Sequence, residues 1–335
     1  MSAAMTVVET GGGRLLSVSG LSVFHRDRTV DGLVEGVSFS LDRSRTLAIV
    51  GESGSGKSLT CKAIAGLLGS NLQAGGDVTL AGRKLLDLTE RDWRGIRGRE
   101  IGFVFQNPFS ALNPVLTIGQ QITEPLRLHA NMSRRDARQE AARLLDLVRI
   151  PQAARRLDDY PHQFSGGMCQ RVAIAMAIAC KPKLLIADEP TTALDVTVQA
   201  DILDLLTDLR RELGLAVVMV THDFGVAAQI ADEIMVMYGG TLMERGSARD
   251  ILGRPQHPYT LGLLRASPAN GVKGRPLHVI PGSATHPLQD RRSCPFSTRC
   301  DKATAACKIN RPVLQTVGRG HAAACLRLTA TEMAA

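Results

Sequence analysis

No apolar run approaches the roughly 18 residues that a membrane-spanning helix requires. The longest candidate, Val172–Cys180, is about half of that. The first residues, Met1 to Arg14, lack the basic start and apolar core of a secretory signal. Those absences point to the cytosol, where the seven cysteines stay reduced. An odd cysteine count there argues against a disulfide framework and for metal ligands or buried thiols. Aromatic residues are scarce at 4%, but a hydrophobic content of 44% suffices for a core. At 335 residues there is room for one large α/β domain and an appendage.

Charge of one sign is also missing from most of the chain. Residues 1–270 hold 30 Lys/Arg and 29 Asp/Glu, a balance of +1, whereas residues 271–335 hold 10 and 3, a balance of +7. A near-neutral body does not support nucleic acid as a partner, and the basic excess needs a local explanation.

What is present is a glycine-rich loop, Gly51-Glu52-Ser53-Gly54-Ser55-Gly56-Lys57-Ser58, between the apolar run Leu47–Val50 and a helix-like stretch. This is the GxxxxGK[ST] pattern in a strand-to-helix setting. Successive backbone N–H groups of Gly51, Ser53, Gly54, Ser55 and Gly56 then face a polyphosphate, helped by the helix dipole. Lys57 reaches the β/γ-phosphates and the Ser58 hydroxyl binds Mg²⁺. The chain is expected to bind a nucleoside triphosphate.

A second run, Lys183-Leu184-Leu185-Ile186-Ala187-Asp188-Glu189, reads as a buried strand ending in two carboxylates. Asp188 suits Mg²⁺, and Glu189 suits a general base for the attacking water. A third run, Ala216–Val220, ends at Thr221-His222-Asp223, which places His222 to touch a γ-phosphate.

Between these runs lies Phe164-Ser165-Gly166-Gly167-Met168-Cys169-Gln170-Arg171, which resembles the signature loop of ATP-binding cassette (ABC) ATPases. The resemblance implies that Ser165, Gly166 and Gly167 bind the γ-phosphate of an ATP held by an opposing subunit. Gln106 resembles the Q-loop glutamine that senses Mg²⁺ and water. Ala193-Leu194-Asp195 resembles the D-loop that crosses the dimer interface, and His222 the switch histidine. Phe24 or His25 corresponds to the aromatic loop that stacks on adenine. Met168 stands where Gln is usual, and Cys169 replaces a usually basic residue, a change expected to weaken anion attraction slightly.

The expected fold is α/β: a RecA-like P-loop core over residues 14–250, with a helical subdomain at about 107–164 and an extension at 251–335. Pro108, Pro114 and Pro125 mark the entry to the helical part, where family members dock a membrane subunit. Gln256-His257-Pro258-Tyr259-Thr260-Leu261 resembles the segment opening the C-terminal extension of oligopeptide/dipeptide importer ATPases. Beyond it Cys294, Cys300, Cys307 and Cys325 are spaced C-x5-C-x6-C-x17-C. Four thiolates suit Zn²⁺ or a [4Fe–4S] cluster. The long spacings, without a C-x2-C pair, favour the cluster, and the spacing resembles the iron–sulfur site of the D-type subunit of peptide importers. Arg291, Arg292, Arg299 and Lys302 are expected to stabilise its negative charge.

The resemblance implies an ATP hydrolase on the cytoplasmic face of the inner membrane, powering uptake of di- or oligopeptides. It implies a second, non-identical cassette, two permease subunits and an extracytoplasmic binding protein as partners. Relatives of this type also serve nickel complexes, opines or oligosaccharides. A soluble ABC ATPase is the competing class, and a degenerate regulatory module is opposed by intact Lys57, Asp188, Glu189 and His222.

Overall fold

The computed structural model describes residues 13–192, 194–267, 278–283 and 292–328. The chain opens with two long strands, β1 (Arg14–His25) and β2 (Arg28–Asp42), then runs through β3 (Thr46–Val50) and the glycine-rich loop into α1 (Lys57–Ile64). β4 (Leu72–Leu80), β5 (Arg83–Lys84), α2 (Glu90–Arg94) and β6 (Ile101–Val104) follow. A helical stretch comes next: α3 (Pro108–Ala111), α4 (Ile118–His129), α5 (Arg134–Leu147), α6 (Ala153–Arg156) and α7 (Gly166–Ile178). The rest runs β7 (Leu184–Asp188), α8 (Val196–Leu213), β8 (Ala216–Thr221), α9 (Phe224–Ile230), β9 (Glu233–Tyr238), β10 (Thr241–Ser247), α10 (Ala248–Gly253) and α11 (Pro258–Ala266). A hairpin of β11 (Gln315–Gly318) and β12 (His321–Ala323) comes last.

The central sheet has the order β11-β12-β10-β9-β3-β8-β7-β6, and its strands from β9 to β6 are parallel. Every residue of β3, β7 and β8 is buried, as expected of parallel strands covered on both faces. Alternation of side chains divides each strand between two cores. Leu185 and Ala187 of β7 and Val217 and Met219 of β8 pack with the helices α4, α5, α7 and α8. Leu184, Ile186, Val218 and Val220 pack the other way, against α1 and a second sheet of order β2-β1-β4-β5. That antiparallel sheet was not legible in the sequence. Its strands are broken by register shifts around Gly20 and Gly36, which blur the alternating pattern.

The helices carry conventional ends. Thr117 and Gln120 form a reciprocal capping box on α4, Ser133 caps α5, and Gly214 (φ 65°) closes α8 in the left-handed region.

The C-terminal segment joins the central sheet, since β12 pairs antiparallel with β10 through Glu244 opposite Ala323 and Arg245 opposite Ala322. Cys294, Phe296 and Cys307 share one apolar cluster with Val50 of β3, Tyr238 of β9 and Tyr259 of α11. Beneath this cluster Glu244 is fully buried, accepting from the N–H groups of Gln256 at 2.7 Å and His257 at 2.9 Å. His321 Nε2 lies 2.8 Å from the same carboxylate, tying β12 to β10.

His257 caps α11, its Nδ1 accepting from the Tyr259 N–H at 3.0 Å. Burial pushes its pKa down from 6.5 to about 4, against the charge of Glu244 and a hydrogen bond to the Ala324 backbone. Between those values the unfolded chain binds a proton that the folded chain does not, so stability falls as pH drops through this window. The full difference is about 3 kcal/mol at 1.36 kcal/mol per unit. Urea midpoints measured from pH 7 to pH 4 are expected to show this fall. His257→Asn, which keeps a capping side chain without titrating, is expected to flatten it; an unchanged slope in that variant refutes the assignment.

Candidate functional site

The glycine-rich loop bridges the C-terminal end of β3 and the start of α1, so backbone N–H groups and a helix N-terminus converge on one point. Two glycines are sterically required. Gly56 caps α1 at φ 97°, and a Cβ there would stand 3.1 Å from Val34 Cγ2. A Cβ on Gly51 would collide with the Met237 carbonyl oxygen.

Lys57 is buried, and its Nζ donates to the carbonyls of Gly51 and Glu52, both at 2.8 Å. Burial lowers its pKa, opposed by the charges of Glu189, Asp188 and Glu52. Ser58 Oγ donates to Asp188 Oδ1 at 2.7 Å across the end of β7. Burial raises the Asp188 pKa, opposed by that hydrogen bond and by Lys62 and Lys57. A half-buried hydroxyl and a desolvated carboxylate in contact are a fitting donor set for Mg²⁺, whose charge offsets the burial penalty on Asp188. Ser58 and Asp188 are the residues that would hold it.

Glu189 follows directly and adopts φ 48°, uncommon for a non-glycine residue and a strain of about 1–3 kcal/mol. Its N–H donates to the Val220 carbonyl at 3.0 Å, so the bend is anchored to β8. The carboxylate gathers three groups: Thr192 Oγ1 donates at 2.8 Å, Gln106 Nε2 donates at 3.1 Å, and His222 Nδ1 stands at 3.4 Å, all to Oε2. Residues that are 83 and 33 positions away in the chain thus meet at one oxygen, because β6, β7 and β8 are neighbours that end on the same edge. Thr192 was not foreseen; as one of two consecutive threonines after Glu189-Pro190, it carried no distinguishing signal.

The remaining expected residues lie elsewhere. Ser165 caps α7, its Oγ accepting from the Met168 N–H at 3.3 Å, with Gly166 and Gly167 in the first turn. Asp195 caps α8, its Oδ1 accepting from the Val198 N–H at 3.0 Å. The two caps adjoin: a Cβ on Gly167 would meet Val198, and one on Gly166 would meet Leu194. Among the described residues no hydrogen bond joins Ser165, Gly166, Gly167 or Asp195 to the Lys57–Glu189 cluster. Ala193 lies outside the described residues. Phe24 sits near the end of β1, half-buried, opposite Gln73 of β4 and Gly32 of β2, and His25 ends the strand. Cys169 is buried, directed at the Pro161 carbonyl at 3.6 Å, so it is not a surface position offered to an anion.

A sequence profile described as "ABC transporter" matches residues 34–192, and one described as "Oligopeptide/dipeptide transporter, C-terminal region" matches residues 243–307. The chain is 48% identical over 316 residues to the oligopeptide transport ATP-binding protein OppD of Salmonella typhimurium, covering 93% of each chain. It is 46% identical over 334 residues to OppD of Escherichia coli, covering 96% of this chain and 98% of that one. The chain belongs to the oligopeptide-type ABC transporter ATP-binding proteins. Its fold is also that of the dimeric ATP-binding cassette MJ0796 in a post-hydrolysis state with ADP and Pi, with TM-score 0.63 and 31% identity over 70% of this chain and 99% of that one. The chain is therefore an ABC-type ATPase.

Within this family member the cysteine segment departs from expectation. All four cysteines are free thiols, and among the described residues no group of three or more His, Cys, Asp or Glu is drawn together so as to hold a metal ion. The expected Cys294, Cys300, Cys307, Cys325 ligand set is thus not assembled. The thiols are nevertheless neighbours. Burial pushes Cys294 up to about 11, and Cys307, Cys325 and Cys300 each add to the rise. Burial also acts to raise Cys307, but hydrogen bonds from Thr304 and the charge of Arg327 outweigh it, and its pKa falls below the usual value.

The basic neighbours are also placed differently. Arg291 lies outside the described residues. Arg299, expected to serve a cluster, instead pairs with Glu52 of the glycine-rich loop. Tyr259 of the His-Pro-Tyr segment likewise reaches that loop, its hydroxyl accepting from the Glu52 N–H at 2.9 Å. The segment was legible as a helix start; its contact with the loop, 207 residues away, was not.

Proposed function

We propose that this chain binds and hydrolyses ATP to power import of di- and oligopeptides by a membrane ABC transporter. The observation that carries the reading is the single cluster of Glu189, Gln106, Thr192 and His222, one residue beyond an Asp188 bonded to Ser58 of the phosphate loop. The loop N–H groups and Lys57 would bind the polyphosphate, and Ser58, Asp188 and Gln106 would hold Mg²⁺. Mg²⁺ supplies charge neutralisation on the phosphates. Glu189 takes a proton from water as its oxygen attacks the γ-phosphorus, the bond to the β-phosphate oxygen breaks, and ADP and phosphate leave. His222 and Gln106 position that water.

Ser165, Gly166, Gly167 and Asp195 complete the site of a second cassette, which in turn completes this one. Their placement away from this chain's own Lys57 and Glu189 supports that division. The second cassette is proposed to be a non-identical chain, with two permease subunits and an extracytoplasmic binding protein. Residues 14–250 form the nucleotide-binding domain, 107–164 its helical subdomain, and 251–335 the extension; Phe24 stacks on adenine.

No described helix is long and apolar enough to cross a membrane. Attachment to the inner face of the membrane is assigned to an apolar groove of about 370 Å³ between β6, α4 and α7, lined by Phe103, Phe105, Ala111, Pro125, Leu128 and Met176. Phe105 is 40% and Leu128 67% exposed, in a mainly apolar lining, with Arg97, Glu124 and His129 also on it, that fits a permease helix. Leu128→Asp is expected to lower transport at least ~10-fold while isolated ATP binding is unchanged, given the 1–3 kcal/mol of burying an unpaired charge in such a groove. Unaltered transport in that variant would place the permease elsewhere.

The four neighbouring thiols of the tail are proposed as a [4Fe–4S] site, with Zn²⁺ the competing ion. Protein purified without oxygen is expected to carry about four irons per chain. Zinc without iron, or no metal, rejects the cluster. Cells carrying Glu189→Gln, tested for uptake of labelled peptides, check the function as a whole. Uptake equal to wild type sinks it, and a defect confined to another solute removes peptide alone.

A further inference from the structure

Arg299 stands next to Cys300 in the chain, yet its guanidinium is committed to the phosphate loop. Nη1 donates to Glu52 Oε2 at 2.6 Å and Nη2 to Oε1 at 3.0 Å, a two-pronged pair. The Arg299 side chain is 5% exposed and that of Glu52 27%. The guanidinium is held from behind as well: Nε donates to the Pro281 carbonyl at 2.8 Å, and Nη2 to the Ile280 carbonyl at 3.3 Å. Its carbon lies 5.7 Å from the centre of the Tyr238 ring.

Glu52 is the second residue of the loop. Its carbonyl accepts from Lys57 Nζ, its N–H is fixed by Tyr259, and its carboxylate charge is felt at Lys57. A carboxylate at this place repels an incoming polyphosphate and competes for Lys57. In a half-buried setting that repulsion is poorly screened. Arg299 cancels the charge and, by gripping both carboxylate oxygens, fixes the orientation of the loop's entrance.

We propose that Arg299 is a positioning residue of the nucleotide site, neutralising Glu52 and fixing the start of the phosphate loop, so that the C-terminal segment is a working part of ATP binding. The proposal rests on reading Gly51–Ser58 as the phosphate loop. It goes beyond a stapling role for the tail, because it makes ATP affinity depend on a residue 247 positions from the loop.

The test is equilibrium binding of MgATP and steady-state hydrolysis by the full chain. Arg299→Met is expected to raise the Kd and KM for ATP about tenfold, equivalent to about 1.4 kcal/mol, with kcat changed much less. Adding Glu52→Gln to Arg299→Met removes the stranded charge and is expected to restore most of the affinity; a role in packing alone predicts no such rescue. Wild-type affinity in Arg299→Met, or failure of the second substitution to rescue, overturns the proposal. Glu52→Gln alone, which keeps one amide oxygen as an acceptor for Arg299, is expected to hold the ATP affinity within about threefold of wild type. A tenfold loss there overturns it too, even if Arg299→Met does not fold. Lys57→Ala separates the premises: wild-type ATP binding in that variant refutes the phosphate-loop reading itself, and the proposal with it.

Discussion

Glu189→Gln is expected to lower steady-state ATP hydrolysis by about 10²–10⁴-fold, the usual contribution of a positioned general base. The amide preserves the volume of the side chain and one acceptor for Thr192 and Gln106, which hold the carboxylate at 2.8 and 3.1 Å. It removes the basic oxygen that takes the proton from water. ATP binding is therefore expected to survive, because Lys57, Ser58 and Asp188 are untouched. Binding without turnover keeps ATP between two cassettes, and with the second cassette present an ATP-dependent dimer of the two chains is expected to accumulate on size exclusion. Turnover within threefold of wild type would show that Glu189 is not the base and that its left-handed bend at φ 48° serves another purpose.

Lys57→Ala has the second largest expected effect, and it falls on binding instead of chemistry. Lys57 Nζ holds the Gly51 and Glu52 carbonyls at 2.8 Å each, so the loop keeps its donor and its shape through one side chain. When phosphate enters, the ammonium exchanges those neutral acceptors for charged ones, each worth about 1.5–3 kcal/mol. Loss of the residue is expected to weaken ATP binding about 10²-fold, or about 2.8 kcal/mol. No ATP-dependent dimer is expected to form. The two variants thus separate by nucleotide binding: one retains ATP and does not turn it over, the other does not retain it. Titration of a fluorescent ATP analogue distinguishes them directly. Equal affinities would remove Lys57 from the phosphate contacts.

The loop and the carboxylate pair were legible because their chemistry is local. Gly51–Ser58 announces its turn through glycines at Gly51 and Gly56, and the following helix begins at Lys57. Asp188 ends, and Glu189 directly follows, a five-residue buried strand whose apolar run announces its burial. The parallel core followed from such runs. The antiparallel sheet of β1, β2, β4 and β5 did not, because bulges break its alternation.

Only tertiary structure decided which distant groups share an atom. Gln106, Thr192 and His222 meet at Glu189 Oε2 because three parallel strands end on one edge, and strand order is set by crossovers that residue spacing does not encode. The same holds for Arg299. Lying beside Cys300, it had a plausible local role in balancing thiolates. Burial in the cluster of Tyr238, Tyr259 and Phe296 instead presents it to Glu52, where a desolvated guanidinium meets a carboxylate that satisfies both of its prongs. A charged side chain pairs with whatever opposite charge the fold brings within reach, and proximity in the chain is a poor guide to that.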